Sequence, residues 1–257
     1  MADLIEPGIE IYTTHFRREE DALVNLLEDY GFVKAGTKAN GEEVHIKRFT
    51  PRKEYISAID VARKYYPSYR DTPNVTKYVV PIKPEYHERL FPDYKQRQRR
   101  ITEYSEINVQ GNAIRKAYLS HSRIRGLRAG DILLFYRSSD QKLVTSLGVV
   151  EGTLQTRNAD KIVESVGNRT VYSMAEIKNM AKKQVLVILF RHHLNFPRPL
   201  GLDYMRRHGI LNSAPQSIMK IPHDSYVALK KGCGLDERHT VSQATVRRGD
   251  RPGKEEV

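Results

Sequence analysis

Apolar positions along this chain change period repeatedly, and each change marks an element. Residues 9–14 alternate, which predicts a strand; from Arg17 to Asp29 the residues Leu23, Leu26 and Leu27 share one helical face, and Gly31 supplies a stop. FVKAG and EEVHIKRF read as strands joined by Lys38-Ala39-Asn40-Gly41, an Asn-Gly hairpin turn. Residues 55–66 suit a short helix, 77–82 (KYVVPI) a strand, and the segment between Pro84 and Pro92 a short helical piece. Ile114, Tyr118 and Leu119 recur at helical spacing behind Asn112, a suitable N-cap, so a helix is expected there. Residues 132–136 and 144–150 are strands around the Ser138-Ser139-Asp140 turn, and Gly148 marks a close approach inside the second. Residues 157–183 read as an insertion carrying one helix, opened by a Ser173/Glu176 capping-box pattern. VLVILF (185–190) is a buried strand, LDYMRRHGI a short helix stopped near Gly209, QSIMKI a strand, and His223 to Lys231 a closing helix. The polar stretch from Asp236 predicts a flexible tail.

Charge sharpens the picture. The 257 residues carry 43 Lys+Arg against 31 Asp+Glu, a net +12, and such a field favours polyanions. From Arg89 to Arg128 there are ten Lys/Arg and three Asp/Glu, including the run KQRQRR and the arginines Arg123 and Arg125. A patch of this kind gives salt-sensitive, sequence-poor binding through counterion release. Hydrophobic content of 39% supports a packed core. The single cysteine, Cys233, forbids an intramolecular disulfide and fits a reducing, cytoplasmic compartment. No apolar run approaches membrane-spanning length, and MADLIEPGIE has no secretory pattern.

Candidate chemistry is sparse. There is no G-x-S-x-G turn, Walker sequence or G-x-G-x-x-G. His192 and His193 are adjacent and would point to opposite faces of a strand, a poor joint metal site. No catalytic residue, metal site or cofactor is therefore expected.

GDILLFYRS, a turn, and LGVVEG together resemble the EVE domain of the PUA-like superfamily. YSEINV is similar to the opening of the related YTH domains, and SAPQSIMKIPHDSYVAL to the closing strand and helix of that fold. The resemblance runs from about Val75 to Gly232. It implies a β-barrel with flanking helices that holds a flipped or single-stranded base between aromatic faces and reads its polar edge. By position it points to Tyr104, Ser105 and Asn108 in the opening segment, and to Asn112, Arg115 and Tyr118 on the first helix. It also points to Tyr136, Arg137 and Ser138 at a strand end, and to Asn195, Phe196 and Gln216 in the C-terminal part. YTH-type readers cage a methyl group with tryptophans; this chain has no tryptophan, and Leu119 stands where the first-helix one would be.

Residues 8–49 resemble the C-terminal half of the GNAT acetyltransferases, whose last helix runs into a step like Tyr30-Gly31-Phe32. That family's acetyl-CoA turn belongs upstream, and its general-acid position here is Leu27. The segment is expected to pack, pair or dimerise. The chain is thus read as α/β (α+β): residues 1–50 a partial GNAT-like strand–helix–hairpin, 51–74 a connector, 75–235 an EVE/PUA-like barrel, and 236–257 the tail. The function implied is non-catalytic recognition of RNA or DNA with single-stranded or modified bases. Two alternatives remain: an N-acetyltransferase subunit completed by a GNAT or toxin partner chain, and a module that meets an acidic protein. A homodimer is a further expectation.

Overall fold

A computed structural model describes residues 10–16, 21–49, 56–96, 113–235 and 237–241. The chain is a mixed α/β protein, as its pattern predicts. Strands β1 (Glu10–Phe16), β2 (Val33–Thr37) and β3 (Glu42–Arg48) form a three-stranded sheet in the order β1-β3-β2, with α1 (Asp21–Asp29) between β1 and β2. The predicted Asn-Gly turn joins β2 to β3: Gly41 takes φ 88°, and Lys38 N–H donates to Glu42 O at 2.8 Å. One side of β3 is unusual, because Glu43, His45 and Lys47 are all buried. Burial is the main reason Lys47 drops to about 7, with Arg191 adding repulsion. Burial, then the neighbouring His15, lowers the pKa of His45.

After α2 (Ala58–Lys64), the larger sheet begins with β4 (Lys77–Ile82), followed by α3 (Pro84–Leu90) and α4 (Pro92–Gln96). Its other strands are β5 (Arg115–Ser120), β6 (Ile132–Arg137), β7 (Leu143–Thr156), β8 (Val185–Gly201) and β9 (Met219–Ile221). They hydrogen-bond in the order β5-β8-β7-β6-β4-β9; only β4 and β6 run parallel. By this order the sheet is open, and among the described residues no pairing joins its edges β5 and β9. The helices that flank it are α5 (Ala159–Val166), α6 (Met174–Met180), α7 (Leu202–Arg207) and α8 (His223–Cys233). None of the described helices is long and apolar enough to cross a membrane.

Two corrections to the sequence expectations have clear causes. The helix expected after Asn112 is strand β5. Its Lys116, Ala117, Tyr118 and Leu119 are buried in succession, and Tyr118 pairs with Ile188 of β8. Burial on both faces erases the alternation that would have announced a strand, and the residual spacing imitates a helix. The strand expected at 185–190 runs on to Gly201, through Pro197 and Pro199; β7 pairs with it up to Leu143↔Gly201. The segment 157–183 carries two helices, and α6 opens with the predicted Ser173/Glu176 capping box. Residues 237–241 dock on Tyr69, whose N–H donates to His239 O at 2.9 Å.

Two apolar clusters occupy the sides of the sheet, one including Phe91, Phe135 and Phe190, the other Tyr136, Leu147 and Phe196. Gly148 fulfils its expected role: a Cβ there would come 2.7 Å from the Phe190 ring. His192 lies 5.0 Å from the Phe91 ring and His193 5.6 Å from the Tyr69 ring, on opposite sides as adjacent strand residues must.

Burial lowers His87, His192 and His193 from 6.5 to about 3 each. Their stabilising contribution is complete above the unfolded value of 6.5. It is lost as pH falls toward 3, because the unfolded chain then binds protons that the folded one refuses. Each contributes up to ~1.4 kcal/mol per pH unit in that window. Urea unfolding is therefore expected to show a markedly lower midpoint at acid pH, inside that window, than at neutral pH; equal midpoints would refute it.

Candidate nucleic-acid interface

Where β5, β6 and the segment before β9 converge, they enclose a cleft of about 660 Å³. Tyr118 of β5 and Tyr136 of β6 both line it. The Tyr118 hydroxyl donates to Pro81 O at 3.0 Å. Tyr136 follows a register shift between Phe135 and Tyr136, a bulge of the kind that re-aims a side chain. Its ring is 0% exposed, and its hydroxyl is buried without a hydrogen-bond partner. Burial raises both tyrosine pKa values, so both hydroxyls stay protonated donors.

The rim is polar. Ser138 Oγ donates to Ile82 O at 3.1 Å, while Ser139 and Lys142, in the β6–β7 turn, take φ 68° and 54°. Across the cleft, the hydroxyls of Ser122 and Ser217 meet at 2.9 Å, joining the loop after β5 to the segment before β9. Gln216 lies exposed in that segment, its amide donating to Ala214 O at 3.4 Å.

A second cleft of about 560 Å³ shares His121 and Ser122 with the first. Arg123, Arg125, Arg157, Lys182 and Lys183 line it, with no acidic residue. Among the described residues none of these five cations forms an ion pair. The two clefts thus adjoin at His121 and Ser122, the first lined by tyrosines and hydroxyls and the second by cations.

Of the residues singled out in the sequence, Tyr118, Tyr136, Ser138 and Gln216 line the first cleft and Arg123 and Arg125 the second. Four others serve the framework. Arg115 pairs with Glu151 at 3.0 Å and Asp29 at 3.2 Å. Arg137 is buried between Glu88, at 2.9 Å, and Asp140. Asn195 accepts from Ser146 Oγ at 2.8 Å, and Phe196 is 1% exposed in the core. Tyr104, Ser105, Asn108 and Asn112 lie outside the described residues, as do Arg97 to Arg100 of the basic run. Sequence reasoning missed Lys83, His121, Lys142, Arg157, Lys182 and Lys183. Their only signal was charge on loops and strand ends, where no period singles a residue out.

No family model matches the chain, and no curated protein matches it. Among solved structures the chain is similar to ASCH from Zymomonas mobilis, with a TM-score of 0.46 and 15% identity, covering 60% of this chain and 94% of that one. It is also similar to the human THYN1 protein, solved in complex with 5-methylcytosine-containing DNA. That TM-score is 0.35 at 9% identity, covering 63% of this chain and 99% of that one.

The arginines divide into two kinds, and stability measurements separate them. Arg137→Ala removes charge-assisted hydrogen bonds to two carboxylates and is expected to cost about 1.5–3 kcal/mol. Arg123→Ala and Arg125→Ala should stay within about 0.5 kcal/mol of the parent. Equal losses in urea unfolding would contradict this division.

Proposed function

We propose that the protein is a non-catalytic nucleic-acid reader. One unstacked base enters the cleft beside Tyr118 and Tyr136, and the adjoining backbone follows the cationic cleft past Arg123, Arg125 and Arg157. The segment 75–235 is the reader domain in this reading. One observation carries it: the Tyr136 hydroxyl, buried and unpartnered, lines a cleft that shares His121 and Ser122 with a second one, whose five cations form no ion pair among the described residues. A buried hydroxyl without a partner costs free energy that a ligand acceptor would recover. Base edges supply such acceptors, and phosphates supply the anions that the neighbouring cations lack.

The recessed Tyr136 hydroxyl favours a single-stranded or extruded base over an intact duplex, since a paired base cannot reach it. Ser138 and Gln216 stand at the rim as further donors and acceptors for the base edge. Without tryptophan, any preference for a modified base rests on this polar rim.

Fluorescence anisotropy with labelled RNA and DNA oligonucleotides, methylated and unmethylated, across a salt series tests the proposal. Affinity should fall steeply with salt. Arg123→Ala with Arg125→Ala should lessen the log–log slope by ~1.4, near 0.7 per lost single-strand phosphate contact. Tyr136→Phe should weaken binding about fivefold to tenfold with the slope unchanged, as for one lost hydrogen bond. No binding at low salt, or a Tyr136→Phe variant that binds like the parent, overturns the reading.

A further inference from the structure

We propose that His15, Glu43 and His45 form a site for a divalent transition-metal ion, sharing no residue with the two clefts and independent of their function. The sheet geometry makes the cluster. His15 on β1 is the direct partner of Glu43 on β3, and His45 lies two residues further along β3. Side chains at i and i+2 share a face, so all three project together.

Their donor atoms lie within 4.8 Å of one another. A point central to three such atoms is no more than about 2.8 Å from each, so shifts of under ~1 Å reach the 2.0–2.2 Å of zinc–nitrogen and zinc–carboxylate bonds. Two imidazoles and one carboxylate are a borderline donor set, suited to Zn²⁺ and its neighbours rather than to Ca²⁺ or Mg²⁺.

The second observation is what the imidazoles lack. Both ring nitrogens of His15 and Nδ1 of His45 are buried without a hydrogen-bond partner. The rings stack with centroids 4.8 Å apart and planes 28° from parallel. Apolar or aromatic residues would pack the same space without stranding three polar nitrogens, each of which carries a desolvation cost. A shared cation converts those nitrogens into ligands.

Lys34 of β2 supports the third ligand, its ammonium 2.6 Å from Glu43 Oε1. Ligating carboxylates are ordinarily fixed by such an outer hydrogen bond. The Lys34 side chain is 47% exposed and free to swing outward, which lets the site accommodate a second positive charge. His15 is only half-buried, which leaves an approach for the ion. Bound there, the metal would clip β1 to β3.

The test uses the full chain, stripped with a chelator and dialysed against micromolar Zn²⁺, with metal content read by mass spectrometry. The parent should retain about one equivalent and gain thermal stability from it, because the ion binds the folded state. His15→Asn and Glu43→Gln should each weaken Zn²⁺ binding at least tenfold, and the double variant His15→Asn/His45→Asn should abolish it, with circular dichroism confirming the fold. If a variant fails to fold, imidazole ¹⁵N resonances of the parent decide: those of His15 and His45 must move to completion at one equivalent of Zn²⁺. Resonances that stay fixed, a parent that retains no metal, or full metal content in the folded double variant would each overturn the site.

Discussion

The pairing of β7 with β8 is the constraint on which the rest of the molecule rests. These strands run 14 and 17 residues and pair from Leu143↔Gly201 to Thr156↔Val185, with register shifts between Val144 and Ser146, Leu147 and Gly148, and Val150 and Gly152. Because side-chain direction has a period of two, this ladder decides which residues meet each apolar cluster. Simple alternation parts His192 from His193, while the register shifts send Phe190 to one cluster and Phe196 to the other despite their even spacing. A shift of one residue would exchange both sets. The bulge between Val150 and Gly152 leaves Glu151 beside Arg191, 3.0 Å away, with both side chains 4% exposed. Burial raises the Glu151 carboxyl, but Arg191 and Arg115 outweigh it and hold the group below its ordinary value. Both arginines also reach Asp29 at the end of α1, so that helix is tied to the large sheet through a half-buried charge cluster.

The same ladder organises a polar seam inside the protein. His87 Nε2 lies 2.6 Å from Thr145 Oγ1, Ser146 Oγ is 2.8 Å from Asn195 Oδ1, and His192 Nε2 is 3.2 Å from that oxygen. One ring nitrogen of each imidazole finds a partner in this seam, while His87 Nδ1 is buried without one. Asn195 therefore serves this seam, although its position in the resembling fold had pointed to a base-binding site.

Legibility in the sequence followed the physics of each element. The hairpin at Asn40-Gly41, the Ser173/Glu176 cap and the strand at 77–82 were readable because local chemistry sets them. Strand β5 was not, because burial on both faces is a tertiary fact with no alternating trace. At the candidate site Tyr118, Tyr136, Ser138, Gln216, Arg123 and Arg125 were legible from position in a resembling fold and from local charge. Arg115 and Arg137 looked equally suitable, yet acidic residues remote in sequence, such as Asp29, Glu88 and Glu151, claim them. The His15–Glu43–His45 cluster was hidden in the same way, since only cross-strand register brings its halves together.

The order of the large sheet has a temporal meaning. Strand β9 completes its edge by pairing Met219 to Ile221 with Val79 to Lys77, across most of the chain. The wall of the cleft from Ala214 to Ile218 stands immediately before that strand. Pairings of such wide sequence separation form late, because the intervening loop entropy must be overcome first. During synthesis the basic loop and Tyr136 leave the ribosome long before their opposite wall exists. The nascent chain thus carries a half-walled shelf, and the cleft is complete only with the last strand.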